Sequence, residues 1–265
     1  MNFYEVSLLK SPLGFLTYQS DEDIKIGTKV LVFLGNRKKE TNAVVIKKVS
    51  EPKFKCIDIS EITDFYYDAK MLEIAKFISQ YYVCSLGEAL SIFIPFKNST
   101  NTINCEKKFN SNINFSSEQE NAYNFLKNKK QALLFADTGS GKTEIYIKTI
   151  EKVLNEGSNA ILLMPEISLS PQMQKRLEKV FHKSVAIWHS KISKSKKEKI
   201  LEGIYSGEIK LIAGARSALF LPFKDLKLIV VDEEHDESYK SDSKPRYNAK
   251  ELALNIAKKF DINLI

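Results

Sequence analysis

No apolar run in this chain approaches the length needed to cross a bilayer, and the amino terminus has no signal-like hydrophobic stretch. The expectation is a cytoplasmic protein without membrane contact. Cysteine is scarce: Cys56, Cys84 and Cys105 are widely spaced and odd in number. They form neither a disulfide framework nor a zinc pattern and read as buried or incidental thiols. Acidic residues are outnumbered, 33 against 40 Lys and Arg, which leaves a net charge of +7. That excess suits a polyanionic partner, although a lysine-rich composition produces it without function. No internal repeat is visible. The 265 residues are 43% hydrophobic and 28% charged, a globular composition with room for one large or two modest cores.

The most informative stretch is Ala132–Tyr146. Ala132–Phe135 reads as a short buried strand, Ala136–Thr143 as a phosphate loop, and Thr143 as the opening of a helix. The residue types match the task. Gly139 and Gly141 tolerate φ > 0 and let the backbone approach an anion. Amides of Thr138, Gly139, Ser140 and Gly141, with the helix N-terminus, form a nest of donors for phosphate oxygens. Lys142 then reaches the β- and γ-phosphates, and the Thr143 hydroxyl ligates Mg²⁺. Ala136 stands where the first glycine of this loop usually falls. A plain Gly-Ser turn would not need strand, Gly141-Lys142-Thr143 and amphipathic helix in succession.

Residues 1–50 alternate apolar and polar, and Phe3–Leu9, Gly14–Tyr18, Lys29–Leu34 and Ala43–Val49 read as strands of a twisted sheet or partial barrel. Asn36–Lys39 is a basic hairpin tip, best explained as a solvated turn. Helical spacing covers Ala69–Val83, with a second short helix over Ser85–Ile92. The Tyr81-Tyr82 pair reads as core. Residues 98–114 are rich in Asn, Ser, Thr and Lys and read as a linker between domains at 1–97 and 115–265. From Phe115, helices and strands alternate: a helix capped by Ser116 or Ser117, the phosphate-loop helix to about Gly157, then Ala160–Met164, Ser170–Phe181, Val185–Trp188, Lys194–Tyr205, Ile209–Ala213, Leu226–Val231, Ala249–Phe260 and Ile262–Ile265. Such alternation implies a parallel sheet covered on both faces, with ligands at the carboxyl ends of its strands.

One of those strand ends carries the second half of the site. Leu228–Val231 runs into Asp232-Glu233-Glu234-His235. In a Mg-dependent ATPase, Asp232 would hold the Mg²⁺ shell through water, and Glu233 would orient or deprotonate the attacking water. His235 would sense the γ-phosphate or link it to bound DNA. Alone, this would be a solvated acidic loop; downstream of a phosphate loop in one sheet it is a catalytic pair.

Taken together, Gly139–Glu144 and Asp232–His235 resemble the DExH helicases of superfamily two. Met164–Gln172, Trp188–Ser190, Gly214–Phe223 and Asp232–Lys240 followed by Arg246-Tyr247 narrow the resemblance to the PriA family of replication-restart helicases (primosomal protein N′). These motifs span 115–265; Phe33–Arg37, Tyr81-Tyr82, Leu86-Gly87 and Ile94-Pro95 extend the match collinearly. The resemblance implies an α/β fold: a RecA-like parallel-sheet helicase lobe preceded by a small β-rich DNA-binding domain that captures the 3′ end of a nascent strand. It implies that Gln119 reads adenine, and that Pro165, Glu166 and the residues to Gln172, with Arg216 and Ser217, grip the single-strand backbone. Tyr239, Lys240, Arg246 and Tyr247 would belong to an aromatic-rich loop coupling DNA contact to hydrolysis. ATP and Mg²⁺ are the implied cofactors. The implied partners are forked and single-stranded DNA, single-strand binding protein and primosome or helicase-loading proteins, with the protein itself a monomer in a bacterial cytoplasm.

Three departures accompany the match. Leu16-Thr17-Tyr18 stands where the family has Phe-Asp-Tyr, and Pro245 where another aromatic is common. No winged-helix domain separates the two halves. The chain stops before the family's Ser-Ala-Thr motif, so the expectation is a fragment without the second lobe, its arginine finger or its zinc-binding cysteines. Such a fragment would bind nucleotide weakly and hydrolyse it hardly at all. Two other classes remain open: a different superfamily-two translocase such as a restriction-system motor, and a DNA-binding module without catalytic activity.

Overall fold

The computed structural model describes residues 1–35, 38–98, 108–137 and 139–265. It divides into two compact units, Met1–Thr100 with Ser241–Tyr247, and Asn101–Lys240 with Asn248–Ile265.

The first unit is built on strands β1 (Asn2–Leu8), β2 (Leu16–Ser20), β3 (Thr28–Phe33), β4 (Glu40–Val49), β5 (Ile57–Tyr66) and β6 (Phe96–Lys97). They lie in the order β2-β1-β4-β3-β5-β6. A parallel pairing of Tyr18 with Ile57 and Gln19 with Asp58 joins β2 back to β5, so the row closes on itself. Alternation explains the core: Tyr4, Val6 and Leu8 of β1 meet Val30, Val32, Ala43 and Val45 on one face. Strand β5 escapes a reading by periodicity. Its face is interrupted by Asp58, Glu61 and Asp64, and its register against β3 shifts twice. Gly27, at φ +91°, sits where a Cβ would strike the Tyr67 carbonyl.

Helix α1 (Ala69–Tyr81) starts at Asp68, whose carboxylate accepts from the Met71 amide at 2.8 Å. It buries Met71, Ile74, Ala75 and Ile78, the i, i+3, i+4, i+7 pattern of one face. Tyr81 does not join that core: it is 60% exposed and stacks on Phe77 at 5.3 Å. Position 81 falls three residues beyond Ile78, past the inward face and at the helix end. A capping box of Ser85 and Glu88 opens the short α2 (Leu86–Leu90). Cys56 is buried and Cys84 half-buried; Cys105 lies outside the described residues, as do Asn36 and Arg37 of the basic hairpin tip.

The second unit alternates α3 (Ser117–Leu126), α4 (Lys142–Asn155), β7 (Asn159–Leu163), α5 (Pro171–Phe181), β8 (Val185–Trp188), α6 (Lys194–Ser206), β9 (Leu211–Gly214), β10 (Leu226–Val231), α7 (Ala249–Phe260) and β11 (Asn263–Leu264). All pairings in the order β11-β10-β7-β9-β8 are parallel. The strands are continuous apolar runs because both faces are covered. Ile147, Ile150 and Leu154 of α4 and Leu177 and Phe181 of α5 pack with Leu162, Leu211, Ala213 and Val230.

Two expectations are corrected here. Ala132–Phe135 is not a ladder strand: only Gln131 bridges Leu264, and the Ala132 amide donates to the Leu264 carbonyl at 3.0 Å. Leu134 still packs inward, whereas Leu133 and Phe135 are 73% and 91% exposed. In the Asn-rich stretch, residues 99–107 lie outside the described residues, but 108–114 are not a loose connection. Phe109 is buried against Phe181, and Asn155 brackets its backbone, accepting from its amide at 2.7 Å and donating to its carbonyl at 3.0 Å.

Candidate nucleotide and nucleic-acid sites

Helix α4 begins at Gly141, in left-handed conformation at φ 84°, and no side chain caps it. Its first amides therefore remain available to an anion in the cleft ahead of them. Gly139 is also left-handed, at φ 85°. The positive φ is what favours glycine at 141, and a Cβ there would also displace the end of the Gln119 side chain. Gln119 does two jobs from the first turn of α3. Its Oε1 accepts from the Ser116 amide at 2.9 Å, while Nε2 donates to the Ser140 and Gly141 carbonyls at 3.4 Å. Thr138 lies outside the described residues.

The cleft encloses about 550 Å³ and is lined by Asn114, Gln119, Gly139–Glu144, Arg176, Asp232 and Glu233. Lys142 points into it, donating to the Ala136 carbonyl at 3.0 Å and standing 3.5 Å from Glu233 Oε1. Strand β10 pairs with β7 and delivers Asp232, whose amide donates to the Leu163 carbonyl at 2.9 Å. Glu233 takes a φ of 48°, a region few non-glycine residues occupy outside functional sites.

Burial first, then the Glu233 charge, raise the Asp232 carboxyl above the ordinary carboxylate range; Lys142 opposes them. Tyr146, from the same face of α4, is hydrogen-bonded to Asp232 and is pushed up by burial and that charge. Two carboxylates crowded at a half-buried strand end suit a divalent cation, which would relieve the repulsion and accept oxygen ligands from Asp232 and Thr143. The residues present therefore fit Mg²⁺ with a nucleotide. Among the described residues no group of three or more His, Cys, Asp and Glu could hold a metal unaided.

Not every acidic residue turns inward. Glu234 pairs with Lys250 of α7 at 2.6 Å. His235 is 76% exposed, with Nε2 3.8 Å from Glu233 Oε2.

The residues expected to hold DNA are scattered in role. Pro165 is buried, while Glu166 and Gln172 are exposed. Glu166 accepts from Ser190 Oγ at 2.8 Å, the main reason its carboxyl stays below the usual range, with Lys191 at 3.9 Å. Arg216 spends its guanidinium on the Ser238 and Lys240 carbonyls at 2.8 and 2.7 Å; Ser217 beside it is half-buried. Tyr239 is 1% exposed, so its ring is core rather than a base-stacking surface. Its hydroxyl donates to the Asp232 carbonyl at 2.6 Å and is pushed up by burial. Lys240 and Arg246 are exposed, Tyr247 is buried, and 246 and 247 belong to the first unit. In that unit Tyr18 is also core, 3% exposed, with its hydroxyl on the Phe33 carbonyl at 2.8 Å.

Sequence reading missed Asn114, Glu144 and Arg176 as cleft residues and Tyr146 as the partner of Asp232. Tyr146 lies one turn beyond Thr143 on α4, a spacing that would have found it. Arg176 carried no local signal.

A parallel sheet with an uncapped glycine loop opening α4 and an acidic pair at the end of β10 fits the nucleoside-triphosphatase class. The family models agree. Residues 116–261 match the DEAD/DEAH box helicase model, and residues 6–95 match the 3'DNA-binding domain (3'BD). The chain belongs to the DEAD/DEAH box helicase family. It is similar throughout to the Replication restart protein PriA of Helicobacter pylori strain J99, 45% identical over 265 residues, which is all of this chain and 42% of that protein. The Replication restart protein PriA of Rickettsia conorii is 37% identical over 262 residues, 96% of this chain and 40% of the relative. That of Bacillus subtilis is 51% identical over 128 residues, 48% of this chain and 16% of the relative. The chain spans about two fifths of the length of the first two relatives.

Proposed function

We propose that the whole protein is an ATP-dependent DNA helicase that moves 3′→5′ along single strands, recognises stalled or abandoned replication forks and restarts replication through primosome assembly. The observation that carries this is the shared cleft: Lys142 and the uncapped start of α4 face Asp232 and Glu233, in a chain that also matches a 3′ DNA-binding domain.

The chemistry is hydrolysis of the γ-phosphoryl group. The α4 amides and Lys142 hold phosphate oxygens and neutralise charge as it spreads in the transition state. Glu233 orients the attacking water and takes its proton. The water oxygen bonds to the γ-phosphorus as the bond to the β–γ bridging oxygen breaks, releasing ADP and phosphate. Mg²⁺, when bound, supplies further charge neutralisation; Thr143 and Asp232 would hold it. Gln119 reads adenine from the rim, Thr138 completes the phosphate loop, and His235 links the γ-phosphate to bound DNA.

In the second unit, DNA contact is assigned to Pro165, Glu166, Gln172, Arg216, Ser217 and Lys240, with Tyr239 supporting that surface from within. In the first unit it is assigned to Arg246, with Tyr247 buried beside it in sequence. The first unit is assigned 3′-end capture and the second the motor lobe. The proposed partners are forked and single-stranded DNA, single-strand binding protein and helicase-loading proteins. The protein acts as a monomer in the bacterial cytoplasm.

The test is fork-stimulated ATPase of the full-length protein and its Lys142→Ala variant. The substitution should lower stimulated turnover about 10²–10³-fold, the usual cost of one preorganised charge-stabilising group, with fork affinity nearly unchanged. No stimulation in the unmodified protein would overturn the motor reading. Equal loss of turnover and fork binding would overturn an independent DNA-reading unit.

A further inference from the structure

Among the described residues, Arg176 is a cationic neighbour of the nucleotide cleft that the phosphate loop and the β10 end do not supply. Arg176 comes from α5, and its guanidinium pairs with the Glu144 carboxylate in the first turn of α4. Glu144 directly follows Thr143, and its other oxygen lies 3.3 Å from where a Cβ on Gly141 would stand. A lone carboxylate there would repel a triphosphate; Arg176 cancels its charge. Arg176 also lies four residues after Gln172, so the two share one face of α5 a single turn apart. Helix α5 follows Pro165–Ser170 without a break and is fixed at its start by Ser170 Oγ, which accepts from the Met173 amide at 3.2 Å.

We propose that the Glu144–Arg176 pair is a strut between the phosphate-loop helix and α5, and that it carries displacement of the exposed Gln172 end of α5, produced by single-stranded DNA, to the phosphate cleft. This rests on the ATP-driven motor reading above. The pair is partly exposed, so its contribution to folding stability is small. Its effect is positional: α5 cannot shift along its axis without pulling on the first turn of α4. Arg176 is a positioning residue, and its planar fork suits one geometry better than a lysine would.

The test is a double-mutant cycle in the full-length protein, comparing Arg176→Ala, Glu144→Ala and the double variant. Turnover is measured with and without oligo-dT, and melting curves establish folding. Each single variant should lower the ratio of stimulated to basal kcat about tenfold, and the double should match either single, as groups acting as one unit do. Arg176→Lys should recover part of the ratio. An unchanged ratio, or losses that multiply in the double variant, would overturn the strut. If Arg176→Ala fails to fold, Glu144→Gln carries the same comparison. Absent stimulation in the unmodified protein would instead sink the motor reading, so the two failures are distinguishable.

Discussion

Burial and the Glu233 charge place a raised pKa on Asp232, and that has a consequence for folding as well as for chemistry. Because the folded pKa lies above the unfolded one, the folded state binds the proton more tightly. The associated stability is present below the unfolded carboxylate pKa and is lost as pH rises through the folded value. Asp232→Asn removes the charge while keeping an acceptor for Tyr146. Without nucleotide, the variant should melt higher than the parent at pH 7–8, with about 2–4 °C gained per kcal/mol in a chain of this size. The gain should shrink as pH falls through the folded Asp232 pKa, and thermal melts across pH check it. A variant melting lower at neutral pH would mean that Asp232's hydrogen bonds outweigh its charge. Mg-dependent turnover should be lost in the same protein, a trade of function against stability. That Lys142 and Asp232 line one cleft was legible because a phosphate loop and an acidic strand end are local patterns. Tyr239's burial was not, since its ring packs by tertiary contact.

At the scale of elements, the segment 108–114 shows how composition misleads. Six asparagines among Ser, Thr and Lys mark the stretch around it as polar, yet Phe109 inserts into the core of the second unit and Asn155 of α4 clamps its backbone. Phe109→Ala should destabilise that unit by about 3–5 kcal/mol, the range for deleting a buried phenyl ring. Asn155→Ala should cost about 1–3 kcal/mol by leaving a partly buried amide and carbonyl unpaired. Denaturant midpoints would show both losses; a neutral Phe109→Ala would return the segment to the status of a linker. Helices α1, α5 and α7 were readable almost to the residue because each carries a cap and a clean 3.6-residue stripe. Strand β5 was not, because its partner β3, rather than its own alternation, sets its register.

For the whole molecule, the net charge of +7 becomes meaningful only beside a DNA-binding family match. Affinity for single-stranded DNA should fall linearly on a log-log plot against salt, with a slope of about −0.7 for each phosphate neutralised. Lys240→Ala and Arg246→Ala, both at exposed positions, should each reduce that slope by about one contact. Titrations from low to moderate salt would reveal it; a slope unchanged in both variants would remove these two residues from the DNA path. The first unit is discontinuous in sequence, since Ser241–Tyr247 groups with Met1–Thr100. No composition shift announces that excursion, which sits inside an otherwise regular alternation of strands and helices.

By itself the amino-acid sequence determined the phosphate loop, the acidic pair, the parallel α/β order and the β-rich start, but not the closure of that sheet through β2 and β5. Each depends on neighbours within a few residues, where steric limits, capping and apolar spacing act directly. Tertiary structure alone decided that Arg176 enters the cleft, that Tyr18 and Tyr239 are core, that Ala132–Phe135 forms no ladder, and that residues 241–247 join the first unit. Those outcomes depend on which groups meet in the folded chain, and side-chain periodicity holds no information about such partners, Arg176 and Glu144 for instance standing 32 residues apart.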